Sequence, residues 1–181
     1  DLVKEGKVRY AGVSNFTVAQ MQRIQPIHPI ASLQPPYSML ARGVEAEILP
    51  FCAANGIGVV VYSPMHNGLL TGKVTRQWVA ALPANDWRRN HNPEFQEPAL
   101  SANLALLEGL RPIAERHGKS LGELAVAWVL RRPEVTSAIV GARSPAQIEG
   151  TIGGGDWQLS AADIAQIDAL LAERDRMLGV A

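Results

Sequence analysis

The run Ile57-Gly-Val-Val-Val-Tyr62 constrains this chain more than any other stretch. It is apolar throughout, with three consecutive β-branched residues. An antiparallel strand facing water on one side alternates apolar and polar residues. A strand covered on both faces, as in parallel sheets, does not. Three further runs have strand character: Val8 to Val13, Ala31 to Gln34 and Thr136 to Val140. Helical segments fall between and after them. Thr17-Val-Ala-Gln20, Ser120-Leu-Gly-Glu123 and Ser144-Pro-Ala-Gln147 fit the capping-box pattern, and Ser160-Ala-Ala-Asp163 is a weaker variant. Leu121, Leu124, Ala125, Trp128 and Val129 share one helical face, as do Ile164, Ile167, Leu170 and Leu171. Strand and helix alternate four times, which argues for parallel βαβ units.

Such units close into an open doubly wound sheet or into a barrel. The open dinucleotide fold carries Gly-x-Gly-x-x-Gly after its first strand. Here that place holds Ser14-Asn15-Phe16. The one glycine cluster, Gly153-Gly154-Gly155, follows a helix and reads as a C-terminal stop. A (β/α)8 barrel gathers function at the C-terminal ends of its strands. The unusual polar residues stand there: Ser14 and Asn15, Gln34, Tyr62 and Ser63, then Gly141 and Arg143.

Composition narrows the function classes. Among 181 residues, 17 basic and 17 acidic side chains cancel, which gives no electrostatic footprint for nucleic acid. No apolar run reaches the roughly 18 residues of a membrane span. A single cysteine, Cys52, excludes an internal disulfide framework and fits a reducing, cytoplasmic compartment. Cys52 itself reads as packing. His28, His66, His91 and His117 show no metal-ligand spacing.

The stretch Tyr62-Ser-Pro-Met-His-Asn-Gly-Leu-Leu-Thr-Gly-Lys73 follows the buried run and ends in Gly-Lys. A triphosphate loop needs Gly, four residues, then Gly-Lys-Ser/Thr. Asn67 stands at its first position and Val74 at its last, so that motif is excluded. A strand followed by such a small-residue loop points to phosphate in another fold. Arg143 directly precedes the helix start Ser144-Pro145, where free N–H groups attract anions and a guanidinium adds a forked donor. Gln34 and Asn15 carry primary amides, which suit a carboxamide ligand. Each feature has an ordinary reading too. Ser14 and Asn15 are common turn residues. Gln34 can bond a neighbouring loop, Tyr62 can be a core aromatic, and Lys73 a solvated amine. Residues 75–100 form a long polar stretch and a candidate lid. Trp78, Trp87, Arg88 and Arg89 within it read as a ligand clamp or as a solvated surface. Pro112 is expected to bend or break the helix around Leu104 to His117.

Taken together, LVKEGKVRYAGVSNF (2–16), LQPPYSML (33–40), VVVYSPMHNGLLTGK (59–73) and AIVGARSPAQIEG (138–150) resemble the aldo-keto reductase superfamily, nearest its bacterial, potassium-channel-β-like branch. The resemblance implies an NADP(H)-dependent reductase of aldehydes and ketones on a (β/α)8 TIM barrel. This chain, 1–181, would supply strands 5 to 8 and the C-terminal helices of one barrel domain. By the same resemblance Ser14, Asn15 and Gln34 hold the nicotinamide carboxamide and Tyr62 stacks on its ring. Ser63, Pro64, Met65, Gly68 and Lys73 line the pyrophosphate path. Gly141, Arg143 and Gln147 face the adenosine end and its 2′-phosphate. The family's acidic residue and asparagine near adenine are replaced by Gly150 and Thr151.

The family's acid–base set is a tyrosine helped by lysine, aspartate and histidine. Those groups belong to the first four strands. Tyr10, Tyr37 and Tyr62 have no lysine naturally beside them, so no catalytic or metal-ligating residue is assigned. A small carbonyl substrate is expected. So is a barrel completed by a missing N-terminal half or by a second copy, since four strands cannot close it. Two alternatives stand beside this reading: a non-catalytic nicotinamide-nucleotide-binding regulatory module, and an unrelated phosphate-binding barrel.

Overall fold

The computed structural model describes residues 1–180. Four strands run in parallel and pair in chain order: β1 (Gly12–Ser14), β2 (Ser32–Gln34), β3 (Gly58–Tyr62) and β4 (Val135–Ile139). All four expected strands form. The first is shorter than the run Val8 to Val13 and shifted toward its end. Its partner β2 explains this. That strand is confined between Pro29 and Pro35-Pro36, which lack the N–H a ladder needs. Only Gly12↔Ser32, Val13↔Leu33 and Ser14↔Gln34 remain to pair. Strand β3 is one of the two interior strands. Val59 and Val61 are buried while Val60 and Tyr62 are half-buried, so both faces are covered to some degree. Its pairing with β4 slips by one residue at Val59/Val60. The Thr136 hydroxyl repairs the slip by accepting from the Val59 N–H at 3.3 Å.

The chain divides into two compact bodies. The first, Asp1–Pro64 with Val129–Gly141, holds the sheet, helix α1 (Val18–Ile24) and helix α2 (Ile48–Ala54). Its core is Met21, Leu33, Leu49, Cys52, Val59 and Val61. Cys52 packs in α2 as expected, and burial pushes its thiol pKa up.

The second body, Met65–Trp128 with Ala142 onward, is helical. It contains α3 (Arg76–Ala80), α4 (Trp87–His91), α5 (Ala99–Glu115), most of α6 (Leu121–Leu130), α7 (Pro145–Ile152) and α8 (Ala161–Leu178). Residues 75–100 are therefore not one irregular loop. They carry α3, α4 and a short 3-10 turn at Pro93–Phe95, anchored by buried Phe95. The helix around Pro112 also differs from expectation. It runs unbroken from Ala99 to Glu115. Pro112 lies in its last turn, so the ring removes a single intrahelical hydrogen bond. Burial of Leu106, Leu107, Leu110 and Ile113 outweighs that loss, at about 1.5–3 kcal/mol for each fully buried side chain. Gly109 lets α8 approach, because a Cβ there would meet Leu170 at 2.5 Å.

Helix α6 is expected to bury one face. Val126 and Ala127 are buried as well, so nearly the whole circumference is covered. Three of the four expected capping boxes form, at Thr17/Gln20, Ser120/Glu123 and Ser160/Asp163. The fourth does not. Ser144 makes no capping bond, and Gln147 reaches one residue further back to accept from the Arg143 N–H at 2.6 Å.

The glycines after α7 have a different reason from the one their sequence suggests. Gly153 keeps right-handed helical geometry (φ −64°), and neither Gly154 nor Gly155 has positive φ. Close packing requires them instead. A Cβ on Gly154 would collide with the Glu123 carbonyl of α6 and come within 2.9 Å of Val126. A Gly154→Ala change is expected to destabilise by about 1–3 kcal/mol through overpacking. Gly150→Ala, in α7 with open space around it, is expected to stabilise by about 0.5–1 kcal/mol. Urea midpoints of the two variants should move in opposite directions.

Asp163 yields an acid-stability prediction. Its carboxylate is buried, receives Arg116 and the Ser160 hydroxyl and N–H, and lies 3.2 Å from His117. Arg116, then Ser160, hold its pKa far below the carboxylate range. A depressed folded pKa gives stability that is present above the unfolded value near pH 4 and lost as pH falls further. Asp163→Asn is expected to lower stability at pH 7 and to flatten its fall below pH 4. Parallel urea-midpoint curves for the two proteins would contradict this.

Candidate functional site

Within the first body, the ends of β1, β2 and β3 bring four expected residues together. The Ser14 hydroxyl donates to the Gln34 carbonyl at 3.0 Å, and the Asn15 N–H donates to the same oxygen at 3.1 Å. The Tyr62 hydroxyl donates to Asn15 Oδ1 at 3.1 Å. Parallel pairing is what aligns them, since Ser14 stands opposite Gln34 in the register. The Gln34 side chain is exposed, and its amide bonds no other described residue. Asn15 (φ 58°) and Ser63 (φ 56°) lie in the left-handed region, where non-glycine residues are strained by roughly 1 kcal/mol or more. Pro64 is buried, and Gly141 is exposed after β4.

Tyr62 is further fixed by its backbone. Its N–H donates to Pro35 O at 3.0 Å and its carbonyl accepts from the Tyr37 N–H at 3.1 Å. The ring is half-buried, with one end held by the hydroxyl bond. The ordinary turn reading of Ser14 and Asn15, with side chains bonded to nearby backbone, does not hold, because Ser14 bonds Gln34 on the neighbouring strand and Asn15 bonds Tyr62 across 47 residues. It does not account for the amide of Gln34.

Within the second body, Met65 to Lys73 forms a tight loop. His66–Thr71 is a kinked 3-10 turn, with Asn67 at φ 56° and Gly68 at φ 91°. Gly68 and Leu70 N–H groups both donate to Met65 O at 3.1 Å, and the Thr71 hydroxyl donates to Gly68 O at 2.7 Å. Leu69 and Leu70 are buried and anchor it. Gly72 closes it with φ 74° where a Cβ would also strike Leu121 at 2.6 Å. Lys73 is exposed. Arg143 and Gln147 are exposed at the start of α7, and Gln147 is engaged by the Arg143 backbone. Thr151 is buried and its hydroxyl bonds the Gln147 and Ile148 carbonyls at 3.1 Å.

Some functional-looking groups were not legible in the sequence. Tyr37 has no lysine beside it, yet it meets a cation from 94 residues away. Arg131 Nη1 donates to its hydroxyl at 2.9 Å, and that hydroxyl donates to Glu45. Arg131 also pairs with Glu45 at 3.1 Å. Burial and the Glu45 bond outweigh Arg131, so the Tyr37 pKa rises well above the usual tyrosine value. Tyr37 keeps its proton and serves the core. Tyr10 is exposed. In the second body Arg174 donates to Asn103 Oδ1 at 2.6 Å and to Glu94 Oε2 at 2.5 Å, although nothing local in the sequence joins these residues. The Trp78, Arg88 and Arg89 group is engaged internally. Arg88 sits 4.9 Å from the Trp78 ring centroid and pairs with Asp86 at 2.6 Å, while Arg89 donates to Leu82 O.

Parallel strands joined by helices, with polar side chains gathered at the strand ends, define an α/β fold consistent with that of (β/α)8 barrel proteins. A model of the aldo/keto reductase family matches residues 1–172. The chain belongs to that family. It is 37% identical over 172 residues to aldo-keto reductase YhdN of Bacillus subtilis (strain 168), covering 94% of this chain and 51% of that protein. It is 33% identical over 163 residues to the NADH-specific methylglyoxal reductase of Escherichia coli (strain K12), covering 90% of this chain and 48% of that protein. The solved glycerol dehydrogenase AKR11B4 from Gluconobacter oxydans superposes with a TM-score of 0.89 at 36% identity, over 96% of this chain and 52% of that one. The chain thus spans about half the length of these relatives. No helix among the described residues is long and apolar enough to cross a membrane.

The contact between Asn15 and Tyr62 can be tested directly. Tyr62→Phe and Asn15→Gly are each expected to lower stability by about 0.5–1 kcal/mol. The double variant should lose little more, because both remove one bond. Asn15→Ala should cost more than Asn15→Gly, since alanine carries the left-handed strain. Additive urea-unfolding losses would separate the two side chains.

Proposed function

We propose that this chain supplies the cofactor-holding part of an oxidoreductase that reduces aldehydes and ketones with NADP(H). The observation that carries the reading is the set Ser14, Asn15, Gln34 and Tyr62 at adjacent strand ends, with the Gln34 amide bonded to no other described residue. A primary amide can both donate to and accept from a nicotinamide carboxamide. The half-buried Tyr62 ring offers a flat surface for the pyridine ring. Met65, Gly68 and Lys73, with Ser63 and Pro64 before them, take the pyrophosphate. Gly141, Arg143 and Gln147 take the adenosine end, with Arg143 on the 2′-phosphate.

A reduced nicotinamide supplies hydride to the carbonyl carbon when bound. The residues of this chain hold and orient it. The proton for the carbonyl oxygen comes from groups outside these residues. Tyr37 is buried and keeps its proton against a raised pKa, and Tyr10 lies in the open. On this reading the chain represents strands 5 to 8 of a barrel near the potassium-channel-β-like branch, in the cytoplasm. The first half of the barrel or a second copy would complete it. Its coverage of about half of each relative supports that placement. Residues 75–100 would act as the substrate lid. Family membership sets aside an unrelated phosphate-binding barrel. The non-catalytic nicotinamide-nucleotide-binding module remains the second reading.

The nucleotide choice has two opposing indications. Arg143 favours the 2′-phosphate, whereas one relative is named for NADH. Titration with NADPH and with NADH, followed by reduced-nicotinamide fluorescence, decides between them. Saturable enhancement stronger with NADPH is expected. Arg143→Ala should weaken NADPH about tenfold, as loss of one charge-assisted contact implies, and NADH less than twofold. Absence of enhancement with both nucleotides would overturn the proposal.

A further inference from the structure

The capping box at the start of α6 does more than begin that helix. Ser120 Oγ accepts the Glu123 N–H at 3.0 Å, and the Glu123 carboxylate accepts the Ser120 N–H at 2.8 Å. Capping uses only a lone pair of the hydroxyl, so its proton is spare. That proton goes to the Gly150 carbonyl of α7 at 2.9 Å, 30 residues away. Lys119 acts in the same direction. Its Nζ donates to Glu123 Oε1 at 3.2 Å and to the Gly153 carbonyl at 3.3 Å. The last carbonyls of a helix lack partners within it. Two side chains at the entry to α6 therefore serve the C-terminal end of α7.

The same turn meets the loop Met65 to Lys73, which belongs to the same body. Gly72 packs on Leu121, the first residue of α6, so closely that a Cβ on Gly72 would come within 2.6 Å of Leu121 Cδ1. Leu121 is itself buried. Gly122 reaches both elements. A Cβ added to it would lie 3.6 Å from Met65 Sδ, 3.5 Å from Thr151 Cγ2 and 3.6 Å from the Gly150 carbonyl. The consecutive residues Lys119 to Gly122 thus contact the loop through Leu121 and Gly122, and α7 through Lys119, Ser120 and Gly122. Hydrogen bonds fix the second contact and close packing fixes the first.

We infer that the turn Lys119 to Gly122 sets the spacing between the loop Met65 to Lys73 and α7, with Ser120 as its positioning residue. The ligand part rests on the function proposed above, in which the loop takes the pyrophosphate and Arg143 and Gln147, at the start of α7, take the adenosine end. The spacing itself does not rest on it. A dinucleotide held at both places spans the two elements. Its second contact adds full affinity only where the distance between the two is already fixed to suit it. Ser120 acts on the cofactor through α7 and not by touching it.

Ser120→Asp and Ser120→Thr test the inference. Aspartate still caps α6 by accepting N–H groups, yet its carboxylate has no proton for the Gly150 carbonyl. Threonine keeps both bonds. In Ser120→Asp, amide hydrogen exchange over Gln147 to Ile152 is expected to quicken about fivefold while exchange along α5 stays unchanged. NADPH is expected to bind about fivefold more weakly, and adenosine 2′-monophosphate, which reaches only α7, to stay within about twofold of wild type. Ser120→Thr should match wild type with both ligands. A general loss of stability would not divide the two ligands in this way. Lys119→Met, which removes the Gly153 bond, carries the same expectations and decides the matter where Ser120→Asp fails to accumulate. Unchanged exchange over α7 in the folded variant overturns the inference. So does unchanged NADPH binding, or equal weakening of NADPH and adenosine 2′-monophosphate. Wild-type protein that binds NADPH but no adenosine 2′-monophosphate overturns it too, because α7 then holds no end of the ligand. Wild-type protein that binds no NADPH, with α7 exchange changing as expected, refutes the cofactor reading and leaves the spacing role standing.

Discussion

Everything at the strand ends depends on the pairing of β3 with a neighbour on each side. Its register against β2 sets Val59 beside Leu33, and its slipped register against β4 sets Tyr62 beside Ile139. A shift of one residue would send every side chain to the opposite face. Val59 and Val61 would leave the core, and Tyr62 would turn away from Asn15. Burial of two valines and the orientation of the candidate ring platform are therefore one choice. The slip at Val59/Val60 costs a ladder bond, and the Thr136 hydroxyl restores a partner to the freed N–H. A small side chain on an edge strand thus stabilises the register that the candidate site requires.

The polar interior follows a second logic. Tyr37, Glu45 and Arg131 form a closed triangle in the first body, and Glu94, Asn103 and Arg174 another in the second. In each, a guanidinium serves two acceptors, and every partner is held by a directed bond. Isolated burial of any one charge would be costly. Both triangles join residues far apart in the chain, and the first does not produce an activated acid. Tyr37 shows this most clearly. A nearby cation is not enough to lower a tyrosine pKa when burial and a carboxylate oppose it.

Much of the fold was legible in local pattern. The apolar run before Tyr62 marked β3, and Thr17, Ser120 and Ser160 marked three helix starts. These features depend on neighbours within four residues. Ser144 fails as a cap even though it matches the same pattern, because Gln147 bonds the Arg143 N–H instead. Gly153, Gly154 and Gly155 look like a helix stop, but their conformations are ordinary and their small size serves the contact with α6. Pro112 looks like a break, yet its place in the last turn makes the loss small.

By itself the sequence determined the class of fold, the family, and which residues stand at the strand ends. Periodicity, caps and short motifs are local or serial properties, and they survive in one dimension. Tertiary structure alone decided which side chains touch. It joined Tyr62 to Asn15, Arg131 to Tyr37, and Arg174 to Glu94 and Asn103. These contacts close loops of 47 to 94 residues. The cost of closing such loops varies only slowly with their length, so spacing carries no signal of the partner. Packing of the strands and helices selects it.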